Sequence, residues 1–224
     1  MMRVNSGETV PSSEDIANLI ALYDGEIAYT DREIGRLMEE LRNRGLGENT
    51  LIIIVGDHGE EFLEHGGIEH GRTLYQEITH LPLIISGPGF TGGRVISQPV
   101  AQLDIAPTIA TAAGIDFPVS DPSRCLSSEM DTPRNIPASG VLWGETDLVS
   151  VVSGGSKVIW TLNTDSLEAF DLENDPGEIH PVQPSNSLVE AAEYYRATPP
   201  LAPAPVVDIG EAASRELRNL GYIR

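Results

Sequence analysis

An apolar run that ends abruptly in a loop of carboxylates and imidazoles constrains this chain more than any other feature. Residues 51–55 read Leu-Ile-Ile-Ile-Val, and residues 56–61 follow as Gly-Asp-His-Gly-Glu-Glu. A continuous, mostly β-branched run of this length is typical of a strand covered on both faces, and it predicts a central strand of a parallel sheet. Because open α/β sheets bind ligands beyond the carboxyl ends of their strands, we expect a functional site directly after residue 55.

The segments on either side of this strand predict further elements. Apolar residues recur at helical spacing over residues 15–44, and Ser12 or Ser13 can cap the start of that helix. Residues 81–85 read as a second buried strand, and a later helix begins with Asp104 as its N-cap. The order of helix, strand, loop, strand and helix predicts an α/β layered domain.

The last part of the chain has a different pattern. Short apolar runs after residue 139 are separated by tight-turn residues, which predicts a small antiparallel sheet. A Pro-rich stretch over residues 199–205 is expected to be a stiff linker, and a helix is predicted over residues 208–220. We therefore divide the chain into an α/β core, residues 1–138, and a C-terminal subdomain, residues 139–224.

The charge balance excludes some classes of partner. The formal net charge is -20, and the chain has thirteen arginines but one lysine, Lys157. Such a surface repels nucleic acids and anionic membranes. No apolar stretch reaches the roughly 20 residues that a membrane span requires, and the first residues lack the apolar core of a signal peptide. Cys125 is the single cysteine, so no disulfide within the chain is expected.

Several blocks along the chain carry a family resemblance through their order and spacing. They are residues 23–31, 49–52, 57–60, 70–75, 82–84, 104–108, 170–178 and 217–223. Together they resemble the C-terminal half of a sulfatase of the alkaline phosphatase superfamily. The resemblance implies an α/β, alkaline-phosphatase-like parallel-sheet sandwich, present in part, with a small C-terminal antiparallel sheet plus a helix.

The resemblance also implies that catalytic parts of the family are missing here. Sulfatases use a Cys/Ser-x-Pro-x-Arg nucleophile and an adjacent pair of aspartates near the N-terminus, and this sequence has no such Asp pair. Residues 120–124 spell Ser-Asp-Pro-Ser-Arg, but they follow the residue 57 block instead of preceding it, so we interpret the match as coincidence. We expect the C-terminal part of a metal-dependent sulfuric ester hydrolase, inactive alone, with the N-terminal half as its partner.

The metal ligands implied by the resemblance are Asp57 and His58. A carboxylate oxygen suits Ca²⁺, the ion that we expect, whereas the imidazole nitrogen leaves Mn²⁺ or Zn²⁺ open. The alternative interpretation is structural: Asp57 caps a turn and His58 only hydrogen bonds within the loop.

Three further residues are expected in the site. By resemblance His70 contacts the sulfate or the leaving-group oxygen, as an electrostatic stabiliser or general acid; alternatively it only orients a ligand. Arg72 is a candidate for binding the substrate anion. His65 either rims the substrate pocket or caps a loop. Glu60 and Glu61 are interpreted as hydrogen-bonding neighbours of the metal ligands.

Two other functions stay open for this sequence. One is a phosphoryl or phosphoethanolamine transferase, or a phosphodiesterase, of the same superfamily, which would carry Thr as its nucleophile. The other is a non-catalytic metal-binding or interaction module. The sulfate ester that a complete enzyme would cleave is not encoded in these residues.

Overall fold

The computed structural model describes residues 2–5, 7–90, 92–117, 125–126, 134–142, 146–197, 211 and 215. The helices are α1 Met2–Asn5, α2 Ser13–Asn43, α3 Gln76–Thr79, α4 Ile105–Ala112 and α5 Asn186–Ala197. The strands are β1 Ile52–Val55, β2 Glu61–Phe62, β3 Ile68–Glu69, β4 Leu83–Ser86, β5 Asn135–Leu142, β6 Thr146–Ser153, β7 Ser156–Thr161 and β8 Ser166–Asp171. The Ser-Asp-Pro-Ser-Arg segment, the Pro-rich linker and nearly all of the predicted last helix lie outside these described residues.

The long helix α2 confirms its predicted start. Ser12 is the N-cap: its hydroxyl accepts a hydrogen bond from the Asp15 backbone N–H at 3.2 Å, and the Asp15 carboxylate accepts one from the Ser12 N–H at 2.9 Å. Beyond the helix, Gly45 takes a φ of 69°, the left-handed conformation that suits glycine at a helix end. None of the residues of α2, all of which are described, is buried. Its apolar side chains at Leu22 and Leu37 are 70% and 60% exposed.

The strands β1 and β4 pair antiparallel, so the predicted parallel direction is wrong for this pair. The chain leaves β1 and returns at the same end of it, where the Gly56 N–H donates to the Pro82 carbonyl at 3.2 Å. A parallel neighbour would need a crossover back to the other end of β1. The pair is also only partly covered, since Ile84 is 58% exposed. Apolar composition signals burial within a sheet, but it carries no information on strand direction.

The predicted C-terminal sheet is confirmed. Strands β5, β6, β7 and β8 pair antiparallel in that order, and the sheet begins at Asn135, just before the predicted subdomain boundary. One face packs on α5 through a buried apolar cluster, and the other packs on the segment that follows the β2–β3 hairpin. The members of the first cluster are Val151, Val158, Trp160, Ala169, Leu188, Ala191 and Ala192, and those of the second are Leu74, Leu148, Ile159 and Phe170.

The second face of this sheet meets residues 74–79 in a contact that we call the seam. Lys157 lies on the same face of β7 as Ile159, because alternate residues of a strand share a face. Its side chain is completely buried, and its Nζ lies 2.9 Å from Oε1 of Glu178, which is equally buried. The seam thus combines an apolar cluster with a buried ion pair, and it holds the C-terminal sheet against the segment that follows the candidate site.

The predicted capping of α4 by Asp104 is only partly right. Asp104 does stand at the N-cap position, but its side chain makes no capping hydrogen bond. It accepts instead from the Ala101 N–H at 2.7 Å and forms a bidentate ion pair with Arg134. Asp104 is also the last residue of the 3₁₀ turn Gln102–Asp104, and it has helical backbone angles instead of the extended ones of a usual N-cap.

Candidate functional site

The backbone at the end of β1 is held from two sides. The Gln102 side-chain amide donates hydrogen bonds of 2.9 Å to the carbonyls of Gly56 and Asp57, so the turn before α4 is tied to the strand end. The Gly59 N–H donates to the Ile78 carbonyl at 2.9 Å. Together these bonds constrain the backbone of the loop that carries Asp57.

Gly59 is required where this loop crosses α3. A Cβ atom at this position would lie 1.8 Å from the Glu77 carbonyl oxygen, far inside van der Waals contact. Any other residue would therefore force the loop away from the helix. The glycine in the Asp-His-Gly-Glu sequence thus has a packing role here.

Asp57 and His58 present their donor atoms close together. The Nδ1 atom of His58 lies 2.9 Å from the Gly59 carbonyl, and because a carbonyl only accepts, Nδ1 carries the proton. In the neutral ring the lone pair is then on Nε2, which lies 3.8 Å from Oδ2 of Asp57. The Asp57 side chain is 84% exposed and that of His58 is 33% exposed, so both can be reached from solvent.

This donor pair fits a divalent cation, but it is an incomplete shell. A carboxylate oxygen beside an unprotonated imidazole nitrogen is a usable set for Mn²⁺ or Zn²⁺, and less so for Ca²⁺, which takes about six to eight oxygens. Within the described ranges no group of three or more His, Cys, Asp or Glu residues could hold a metal ion. Asp57 and His58 therefore provide two metal donors.

His70 lies directly against His58. Their rings stack with centroids 3.7 Å apart and planes 27° from parallel. Nδ1 of His70 is 3.3 Å from a carboxylate oxygen of Glu60, which leaves Nε2 without a described partner. The structure therefore brings His70 to the metal candidates, with Glu60 as its hydrogen-bonding neighbour. Its catalytic role stays a prediction.

The other two predicted site residues differ from each other. Arg72 is exposed on the loop that follows His70, and its contact with a substrate anion stays a prediction. His65 is nearly buried, with a side chain that is 11% exposed, and both of its ring nitrogens have protein partners. In this arrangement no ring nitrogen of His65 is left to bind a substrate. The substrate contact of His65, like that of Arg72, stays a prediction.

Two residues of the site region have roles that were not predicted. Gln102 anchors the strand end, and the only hint in the sequence was its place beside the 104–108 block. Glu61 is completely buried, and its Oε1 accepts hydrogen bonds from the backbone N–H groups of His65 at 3.1 Å and Gly67 at 2.6 Å. It stabilises the loop of the β2–β3 hairpin from its interior. The adjacent acidic residues Glu60 and Glu61 gave no sign of this role in the sequence.

Comparison with known proteins gives consistent results. The family model for Sulfatase matches residues 4–115. Arylsulfatase K of Bos taurus is 36% identical over 107 residues, which cover 48% of this chain and 20% of that protein. Among solved structures, a 2-O glycosaminoglycan sulfatase has a TM-score of 0.67 at 20% identity, covering 83% of this chain and 43% of its own.

A phosphonate monoester hydrolase from Silicibacter pomeroyi is similar to the same extent, with a TM-score of 0.67 at 23% identity, covering 85% of this chain and 42% of that one. At these identities the structural likeness shows the fold alone, which confirms the predicted fold class. The chain spans about a fifth of the length of the arylsulfatase K that it matches. In the described part of the chain, no helix combines the length and apolarity needed to cross a membrane.

Proposed function

This chain belongs to the sulfatase family, and from that premise we propose that it is the C-terminal part of a metal-dependent sulfuric ester hydrolase. The observation that carries the proposal is that Oδ2 of Asp57 lies 3.8 Å from Nε2 of His58, the nitrogen that bears the lone pair in the neutral ring, at the end of β1. The stacked ring of His70 beside this pair supports it, because a substrate group would then meet the metal ligands and an imidazole together.

The proposed metal ligands of this chain are Asp57 and His58. Ca²⁺ is the ion expected from the family resemblance, while the nitrogen donor favours Mn²⁺ or Zn²⁺. When bound, a divalent cation neutralises charge on the ester oxygens. The remaining ligands and the nucleophile would come from the half of the sulfatase fold that this chain does not match.

His70 is proposed to act on the substrate oxygen. The Glu60 carboxylate accepts from Nδ1, so in the doubly protonated ring the Nε2–H is the group available to donate a hydrogen bond or a proton to a sulfate or leaving-group oxygen. Stacking on His58 restricts the rotation of the ring, which keeps Nε2 close to the metal ligands. Arg72, exposed on the loop after it, is proposed as a second contact for the anion.

The partner proposed for this chain is the N-terminal half of a sulfatase domain. Helix α2 supports this, since none of its residues is buried and several of its apolar side chains are exposed. The exposed apolar residues of α2 are Ile20, Leu22, Tyr23, Ile27, Tyr29 and Leu37. Alone, the chain is expected to hydrolyse neither aryl sulfates nor aryl phosphates, because no nucleophile is assigned to it.

The metal proposal can be tested with Mn²⁺ as a paramagnetic probe of the full chain. In excess Mg²⁺ and moderate salt, which suppress general binding to the acidic surface, we expect the amide signals of residues 56–60 to broaden first. Asp57→Asn should weaken this effect at least about tenfold, a change of about 1.4 kcal/mol. Asp24→Asn, the same change on the exposed face of α2, is the matched control. Equal broadening in Asp57→Asn and wild type would refute the assignment.

The similarity to a phosphonate monoester hydrolase keeps the phosphoryl-transfer alternative in view. Identification of the nucleophile in the complementary half separates the two: Cys or Ser supports a sulfatase and Thr supports phosphoryl transfer. Stoichiometric metal binding by a stable chain, with no hydrolysis in any combination with a complementary half, would favour the non-catalytic module.

A further inference from the structure

His65 lies where three segments of the chain meet. It belongs to the loop of the β2–β3 hairpin, which leads directly to His70. Its Nδ1 is 2.6 Å from a carboxylate oxygen of Glu77 in α3, and its Nε2 is 3.1 Å from the carbonyl oxygen of Glu178, which follows the C-terminal sheet. The ring also stacks on Tyr75 with centroids 3.5 Å apart and planes 8° from parallel. One side chain thus connects the site loop, α3 and the C-terminal subdomain.

Both partners of the His65 ring are acceptors. A carbonyl oxygen and an ionised carboxylate each accept a hydrogen bond and donate none. A neutral imidazole has one N–H, so it could satisfy only one of these partners, and its other nitrogen would face the second partner lone pair to lone pair. With Glu77 ionised, both hydrogen bonds of the ring can therefore form only in the doubly protonated imidazolium.

The groups around His65 are mostly acidic, which favours this charged form. Glu61 of β2 accepts from the His65 backbone N–H, and Glu77 of α3 binds the ring. The Glu178 carboxylate is paired with Lys157 of β7, and the positive charge of Lys157 offsets part of the effect of Glu178 on His65. The Tyr75 hydroxyl donates a hydrogen bond to Glu168 of β8, and the phenol ring stacked on His65 carries no positive charge.

We propose that His65, protonated on both ring nitrogens, is a positioning residue that fastens the loop carrying His70 to the C-terminal subdomain and releases it when it loses a proton. The loop itself is a compact unit, because the buried Glu61 carboxylate accepts from two of its backbone N–H groups. Release at His65 therefore loosens the hairpin as a body, and with it the position of His70. This assigns His65 the loop-capping role and not a contact with substrate.

The direction of the pH dependence follows from the surroundings. Burial lowers the pKa of His65, but its hydrogen bonds to Glu77 and the Glu178 carbonyl, with the charges of both glutamates, outweigh burial and raise the pKa above its ordinary value. A base whose pKa is raised by folding stabilises the folded state fully below its unfolded pKa of about 6.5, and that contribution is lost as the pH rises through the folded pKa. The hydrogen bonds of His65 to Glu77 and the Glu178 carbonyl are therefore both formed at low pH, and the contact opens as the pH rises through the pKa of His65.

The test uses the full, metal-free chain, so its outcome is independent of whether Asp57 and His58 bind a metal. Ring nitrogen NMR signals of His65 should show two N–H groups at pH 6 and a single titration above pH 6.5. Hydrogen exchange, expressed as protection factors, should show residues 61–70 and 174–180 losing about tenfold or more in protection through the same titration, as expected for loss of a hydrogen bond to a charged group.

Two variants and a control sharpen the result. Glu77→Gln keeps the shape of the partner but removes its charge, and it should lower the pKa of His65. His65→Gln, whose side chain does not titrate, should abolish the pH-dependent step in protection. His80→Gln, the same change at an exposed histidine, should leave that step intact. A His65 ring with one proton at pH 6, or protection in both segments that stays constant while His65 titrates, would overturn the proposal.

Discussion

The buried ion pair of the seam leads to a quantitative prediction. Lys157 and Glu178 are both completely buried, with Nζ and Oε1 2.9 Å apart. Lys157 Nζ also donates longer hydrogen bonds to two neutral groups, Gln76 Oε1 at 3.4 Å and Thr79 Oγ1 at 3.3 Å. Burial lowers the pKa of Lys157, and the Glu178 carboxylate offsets only part of that effect. The ammonium therefore depends on Glu178, and loss of either partner leaves a charge in the protein interior.

The expected cost is large for a single substitution. Removing one partner of a buried pair costs about 3–5 kcal/mol, because the remaining charge is neither solvated nor paired. We expect this cost in the free energy of unfolding for Lys157→Met and for Glu178→Gln. The latter preserves volume and the unusual backbone, since Glu178 has a φ of 53°. The double variant has no buried charge at the seam, so it should cost clearly less than the sum of the two.

Urea unfolding followed by circular dichroism measures these free energies, and the four proteins form a double-mutant cycle. Arg36→Met is the matched control: its guanidinium lies 2.7 Å from Glu33, a similar distance, but the Arg36 side chain is 73% exposed. An exposed pair contributes about 0–1 kcal/mol. If either buried variant is within about 0.5 kcal/mol of wild type, or if the two costs add, the reasoning from burial fails.

Two further substitutions test local features of the fold. Gln102→Met has almost the shape of glutamine but cannot donate to the carbonyls of Gly56 and Asp57, so hydrogen exchange over residues 56–60 should increase while overall stability is kept; unchanged exchange would show that Gln102 does not hold the loop. Ser12→Ala removes the side-chain acceptor at the start of α2 and should cost about 1 kcal/mol in urea unfolding; a cost near zero would mean that α2 frays at this end without consequence.

Elements with local signals were predicted well. The Ser12 and Asp15 pair marks the start of α2, and both partners are close in sequence, so their contact depends little on the rest of the fold. The C-terminal sheet was predicted from short apolar runs and tight turns, since hairpin neighbours are adjacent along the chain. The direction of β4 relative to β1 was missed, because it depends on the path of the chain between them.

The candidate site shows the same division. Asp57 and His58 are adjacent residues, and their joint position at a strand end could be predicted from the apolar run before them. The stacking of His70 on His58 depends on how the hairpin folds back. The contact of His65 with Glu178 joins residues 113 positions apart, and nothing local to either residue announces it. Long-range polar contacts are thus what the local pattern failed to reveal.

The complete burial of Lys157 has a practical consequence, because it is the only lysine of the chain. Acylating reagents and lysine-specific proteases have no exposed side-chain amine to attack in the folded protein. Modification of this one position can then proceed only through molecules in which β7 has separated from residues 74–79. The rate of acylation at Lys157 therefore measures how often that contact opens.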